Sequence, residues 1–142
     1  MKPDIQTRHD IYFLLEAFYA KALYDEVIGH FFTQVKKINI EAHLPVITDF
    51  WEMVLLGGTQ YNKSAITPHI HLHQLSPMTE KHFTRWLELF HSTVDELYDG
   101  SIAFLAKQRA VSIATVMKIK VLQSSSIKTK EHDNSGSAAT GG

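Results

Sequence analysis

Apolar residues recur at the spacing of an α-helix over four stretches of the chain. Asp10 is placed to cap the first helix. The second helix is expected from about Glu41 to Leu56, with Pro45 in its first turn and Gly57-Gly58 at its end. The apolar positions of these two helices are Leu14, Leu15, Phe18, Ala22 and Leu23, then Leu44, Ile47, Phe50, Trp51, Val54 and Leu55.

Two further helices follow an irregular centre, residues 59–78. Thr79 opens the third helix and Asp99-Gly100 ends it, and Ser101 is placed to cap the fourth. Their apolar positions are Phe83, Trp86, Leu87, Phe90, Val94 and Leu97, then Ile102, Ala106, Ala110, Ile113 and Met117. A short apolar piece also begins at His30-Phe31-Phe32. The pattern predicts an all-α protein.

The length of 142 residues fits one domain. We expect a flexible leader at 1–7, a folded domain at 8–123 and a disordered tail at 124–142, because the tail holds one isoleucine and no aromatic residue. The chain has no secretory signal at its start and no stretch near the ~20 apolar residues of a membrane span, so a cytoplasmic protein without a membrane partner is expected.

Composition narrows the candidate chemistry. The formal net charge of −1 argues against a nucleic-acid partner, which would need a basic face. The absence of cysteine excludes disulfides, thiolate chemistry and cysteine zinc sites. Nine histidines and fifteen aromatic residues remain, so metal or haem ligation is the chemistry to test.

The central segment holds three alternate histidines, His69, His71 and His73. In an extended segment they would lie on one side and could bind zinc or another divalent metal. Alternatively, one histidine between two long helices faces inward and binds haem iron. A polar, exposed loop is a third interpretation.

Two polar residues lie on or beside apolar helix faces. His43 shares a face with Ile47, Phe50 and Val54, and Tyr19 lies beside the apolar stripe of the first helix. A histidine in such a position is more often a core residue than a functional one. Together, however, the two side chains could reach one apolar cavity, where hydrogen-bond donors stabilise a diatomic ligand.

In order and spacing, residues 8–122 resemble the third group of truncated haemoglobins. The resemblance rests on Phe18-Tyr19, on His43 ahead of Asp49-Phe50-Trp51, on the separation of Tyr61 from His69, on the block HFTRWLELF at 82–90 and on RAVSIATVMKIK at 109–120. It implies a shortened globin fold with helices packed two over two around haem.

The resemblance also implies roles for single residues. His69 would be the iron ligand, with His73 second in rank, and Tyr19, His43 and Trp86 would contact the distal ligand. The haem would be bound by His69, Trp86, Phe50, Phe90 and Tyr61, with Lys63 and Arg85 expected to pair with its propionates.

The implied function is binding of O2, NO or CO, with a possible role in oxygen, NO or peroxide chemistry. Turnover would need a separate reductase as partner, and the sequence does not distinguish a carrier from an enzyme. The alternative function is a non-haem helical protein that binds zinc or another divalent metal through His69, His71 and His73.

Overall fold

A computed structural model describes residues 1–35, 39–59 and 78–138, with side chains described for 1–34, 39–59 and 78–123. Within these ranges the chain is helical and contains no strand. The helices are α1 (Arg8–Ala22), α2 (Ile40–Leu56), α3 (Glu80–Leu97) and α4 (Ser101–Ala138), with a π-helical turn at Phe31–Val35. The predicted all-α fold is confirmed.

The start of α1 differs from the sequence-based expectation. Thr7, not Asp10, is the N-cap: its hydroxyl accepts a hydrogen bond from the Asp10 backbone N–H at 3.3 Å. The Asp10 carboxylate in turn accepts from the Thr7 backbone N–H at 3.0 Å. The two residues form a capping box, in which an acidic side chain belongs at the third helical position.

Pro45 also lies deeper in its helix than expected. Asn39 is the N-cap of α2, and its side chain accepts a hydrogen bond from Ala42. The helix therefore begins one residue earlier than predicted, which places Pro45 in the second turn. Proline cannot donate a backbone hydrogen bond there. The helix nevertheless continues to Leu56 and ends at Gly57, whose φ of +76° is left-handed.

Helix α1 packs on α2 and α3, and α4 packs on α3 and α2. Aromatic rings fill the centre between them. Trp51 of α2 stacks on Phe90 of α3 with ring centroids 4.9 Å apart, and Phe90 stacks on Trp86 at 5.5 Å. Phe18 of α1 meets both Trp86 and Phe90 edge-on. This stack extends from the core to Trp86, which is only partly buried.

Residues 1–7 contact the start of α4. The Asp4 carboxylate accepts hydrogen bonds from the backbone N–H groups of Ile102 at 3.0 Å and Ala103 at 2.8 Å. Asp4 thus caps α4, whereas the sequence pattern predicted Ser101 as the cap. Ser101 is instead the first residue of the helix. Ile5 is 1% exposed and belongs to the core. Nothing in the local sequence pattern indicated these contacts.

The backbone of α4 is helical through Ala138. The domain boundaries at residues 7 and 123, and the disorder of the tail at 124–142, stay predictions. None of the helices in the described ranges combines the length and the apolar character that crossing a membrane requires.

Candidate functional site

An apolar cavity lies between residues 28–32, α3 and α4. Together with its open mouth it spans about 520 Å³, part of which is open to solvent. Its lining is apolar except for one histidine and consists of Ile28, Phe31, Phe32, Met78, His82, Phe83, Trp86, Ala114 and Met117. Trp86 and Phe32 are only partly buried, so large aromatic surfaces remain open to a ligand.

A polar pair, of which Tyr19 is buried and His43 partly buried, lies next to this cavity. The Tyr19 hydroxyl oxygen is 2.9 Å from His43 Nε2, and Tyr19 is 7% exposed. The Tyr19 ring meets Phe32 edge-on, with centroids 5.7 Å apart. Phe32 therefore contacts both the polar pair and the cavity. Burial raises the pKa of Tyr19 well above its ordinary value, so the phenol keeps its proton at neutral pH.

Of the four aromatic residues predicted to bind haem, the structure describes three, and it distributes them between the cavity and the core. Trp86 lines the cavity. Phe90 is fully buried and stacks behind Trp86, so it supports the lining ring. Phe50 is partly buried on α2, where its ring meets Trp51 edge-on at 5.7 Å.

Arg85, expected to pair with a haem propionate, is engaged with protein carboxylates. Its Nε and Nη2 both lie 2.8 Å from Asp25 Oδ1, and its Nη1 lies 3.3 Å from Glu88. The Asp25 side chain is only 6% exposed and also accepts hydrogen bonds from the backbone N–H groups of Val27 and Ile28. Asp25 thus connects the residues after α1 to the first half of α3.

Opposing effects act on the Asp25 carboxyl. Burial disfavours its charged form, but the Arg85 guanidinium and the backbone N–H groups of Val27 and Ile28 outweigh burial. The pKa of Asp25 is therefore below its ordinary value. The sequence pattern did not single out Asp25 as a site residue. An aspartate just after a helix is a local turn signal, because its side chain can accept from the backbone two residues on. Nothing local indicates its partner 60 residues away.

His82 is the first residue of the motif at 82–90, to which the family resemblance assigns no separate role, and it lines the cavity. Its Nδ1 accepts a hydrogen bond from the Thr79 backbone N–H at 2.8 Å. The rings of His30 and Phe31 lie against it, with centroids 5.8 Å and 4.9 Å away. A polar residue three positions after an N-cap threonine is the available sequence signal.

The remaining predicted site residues lie outside the described ranges: Tyr61, Lys63, His69, His71 and His73. Their roles stay predictions. Among the residues that the structure does describe, no three His, Asp or Glu side chains are grouped so that they could bind a metal ion.

Comparison with known proteins identifies the family. No family model matches the sequence. The group 3 truncated haemoglobin of Campylobacter jejuni is 30% identical over 118 residues, which cover 81% of this chain and 91% of that protein. A crystal structure of a group III truncated haemoglobin from Campylobacter jejuni matches with a TM-score of 0.73 and 27% identity, over 85% of this chain and 95% of the other.

This chain therefore belongs to the group III truncated haemoglobins. The family resemblance inferred from the sequence and the shortened globin fold are both confirmed.

Proposed function

We propose that this globin binds haem in the aromatic cavity and a diatomic ligand beside the Tyr19–His43 pair. The observation that carries the proposal is the position of this pair: a buried hydroxyl and an imidazole meet at 2.9 Å, and Phe32 both contacts Tyr19 and lines the cavity. An apolar pocket with a few convergent polar groups is the usual form of a cofactor site.

The residues of the cavity fit a porphyrin. The lining is rich in flat rings and thioether side chains, and Trp86 leaves part of its surface open. Haem would supply an iron centre that takes small diatomic ligands. We assign its protein ligand to His69, on the family resemblance and on the preference of haem iron for neutral imidazole. O2, NO and CO are the proposed ligands.

The position of the protons in the Tyr19–His43 pair decides whether Tyr19 donates its hydrogen bond to the ligand or to His43. A phenol has one proton, and an imidazole nitrogen either donates or accepts. If His43 Nε2 carries hydrogen, it donates to the Tyr19 oxygen, and the tyrosine proton stays available for the ligand. If Nε2 is bare, Tyr19 donates to it instead. His43 therefore controls whether Tyr19 acts as a ligand donor.

Trp86 is the second candidate donor. Its indole N–H can only donate. Its ring lines the cavity and is held by Phe90 on one face and by Phe18 at 6.0 Å. Fixed donors of this kind favour O2, which becomes partly negative when bound, over the less polar CO. If the protein converts its bound ligand chemically, a separate electron donor would have to supply the electrons for each turnover.

The first test is the holoprotein itself. The full chain, purified and supplied with haem, should bind one equivalent, show a Soret absorption band and contain iron. The matched variant Trp86→Ala should bind haem more weakly, whereas Phe104→Ala, which removes an exposed ring from α4, should not. A colourless protein that contains zinc would overturn the proposal and favour the site formed by His69, His71 and His73.

A further inference from the structure

The cavity holds one polar side chain on an otherwise apolar lining. His82 is the only histidine, acid or base among the described residues that line it. The imidazole is held from two sides, because Phe31 packs on it edge-on and the Thr79 backbone N–H donates to its Nδ1 at 2.8 Å. A polar group fixed in an apolar pocket is suited to orienting a ligand.

The hydrogen bond from Thr79 determines the tautomer of His82. A backbone N–H can only donate, so Nδ1 must be the bare, accepting nitrogen. The proton of the neutral ring is therefore on Nε2. Nε2 makes no hydrogen bond to any residue in the described part of the chain. The ring thus presents an unused N–H donor on the side opposite to Thr79.

The surroundings favour an anionic partner for that donor. His30 and Lys81 are the nearest basic groups, from the segment after α1 and from α3 itself. Burial, His30 and Lys81 hold the pKa of His82 below its ordinary value, so the ring is neutral at pH 7. Arg85 is already paired with Asp25 and Glu88.

We propose that His82 Nε2–H donates a hydrogen bond to a propionate carboxylate of the haem bound in this cavity. This role rests on the proposed function and replaces the one that the sequence suggested for Arg85. A hydrogen bond to an ionised carboxylate is roughly twice as strong as one to a neutral acceptor. The neutral imidazole donates without the cost of burying a charge.

Two substitutions distinguish the role of the His82 Nε2 donor from that of the Nδ1 acceptor. His82→Gln keeps an N–H donor near the position of Nε2 and gives up the Nδ1 acceptor. His82→Asn keeps an acceptor near the position of Nδ1 and gives up the Nε2 donor. The measurement is the rate at which each holoprotein releases haem to an excess of a haem acceptor. It is made with protohaem and with its dimethyl ester, which has no free carboxylate.

With protohaem, His82→Asn should release the cofactor about ten- to a hundredfold faster than the unaltered protein. His82→Gln should release it at nearly the rate of the unaltered protein. With the dimethyl ester the three proteins should release at similar rates. Equal rates for His82→Asn and the unaltered protein with protohaem would overturn the proposal. So would a difference that persists with the ester, because His82 would then act through packing or capping. If the unaltered protein does not bind haem, the proposed function itself fails.

Discussion

Arg85 Nε donates to Asp25 Oδ1 across 2.8 Å, and this contact joins the segment after α1 to the helix that carries Trp86. The Asp25 side chain is almost fully buried, whereas 37% of the Arg85 side chain is exposed. Water therefore weakens the charge interaction, although loss of one partner would leave the other without compensation. The contact joins two segments that each contribute to the proposed haem cavity, since Ile28 and Trp86 both line it.

Asp25→Asn should lower the free energy of unfolding at pH 7 by about 1–2 kcal/mol, because the amide keeps an acceptor oxygen but loses the charge that Arg85 faces. The pKa of Asp25 is lowered in the folded protein, so its stabilisation is complete above the unfolded value of about 3.9. It is lost as the pH falls from there through the folded value. Urea unfolding at neutral and acid pH measures both effects.

The control for this prediction is Glu88→Gln. Glu88 is 59% exposed and pairs with the same guanidinium at 3.3 Å, so its loss should change stability by less than about 0.5 kcal/mol. An equal loss in both variants, or an Asp25→Asn effect that does not shrink at acid pH, would contradict a special role for the buried pair.

Tyr19→Phe should speed O2 dissociation by about ten- to a hundredfold, because it removes a hydrogen bond to a polar ligand worth about 1.5–3 kcal/mol. CO dissociation should change less. Stopped-flow mixing of the oxygenated protein measures the rate. Tyr24→Phe is the matched control, since Tyr24 is 87% exposed. An unchanged O2 dissociation rate in Tyr19→Phe would mean that the Tyr19 hydroxyl bonds to His43 and not to the ligand.

His69→Ala should abolish haem binding or change the spectrum of the bound haem, because the iron would lose its protein ligand. His71→Ala and His73→Ala should bind haem with the spectrum of the unaltered protein. Absorption spectra and haem stoichiometry of the three purified variants check this expectation. Loss of haem in His73→Ala alone would shift the assignment to the second-ranked histidine.

Gly100→Ala should destabilise the fold by about 1–3 kcal/mol. Gly100 has a φ of +146°, and a Cβ atom there would overlap the Asp4 carboxylate that caps α4. Gly57→Ala separates the two effects, since Gly57 also has positive φ but its Cβ would meet no atom of the described residues within 4 Å. Thermal unfolding should therefore show a larger loss of stability for Gly100→Ala than for Gly57→Ala. Equal losses would mean that overlap with Asp4 contributes nothing.

The parts of the fold that the sequence predicted are those determined locally. The start of α3 at Thr79 follows from a cap residue ahead of a strong apolar period. The period alone left the start of α1 ambiguous, because Thr7 and Asp10 are both good caps and only the capping box separates their positions. Helix positions were therefore predictable, and exact ends were predictable only where the cap residue was unambiguous, as at Thr79 and Gly57.

The candidate site was predictable to the extent that each residue lies on an apolar helix face. Periodicity placed Tyr19 and His43 on such faces, but it could not show that the two faces meet. Asp25 and Arg85 are harder still, because a charged residue in a turn and one on a helix each look like ordinary surface groups. Only packing joins them, and only packing shows that His82 lines a cavity.

The Asp4 cap of α4 has a consequence for how the chain folds during synthesis. Asp4 accepts hydrogen bonds from the backbone of residues 102 and 103, so this contact closes a loop that contains α1, α2 and α3. Contacts so far apart in sequence form slowly, because the entropy of loop closure is lost before the contact forms. Helices α1 and α2 can dock while the ribosome is still adding α3. The first turn of α4 acquires its cap only after residue 103 has emerged, so the contact between residues 1–7 and α4 forms after α1, α2 and α3 have been synthesised.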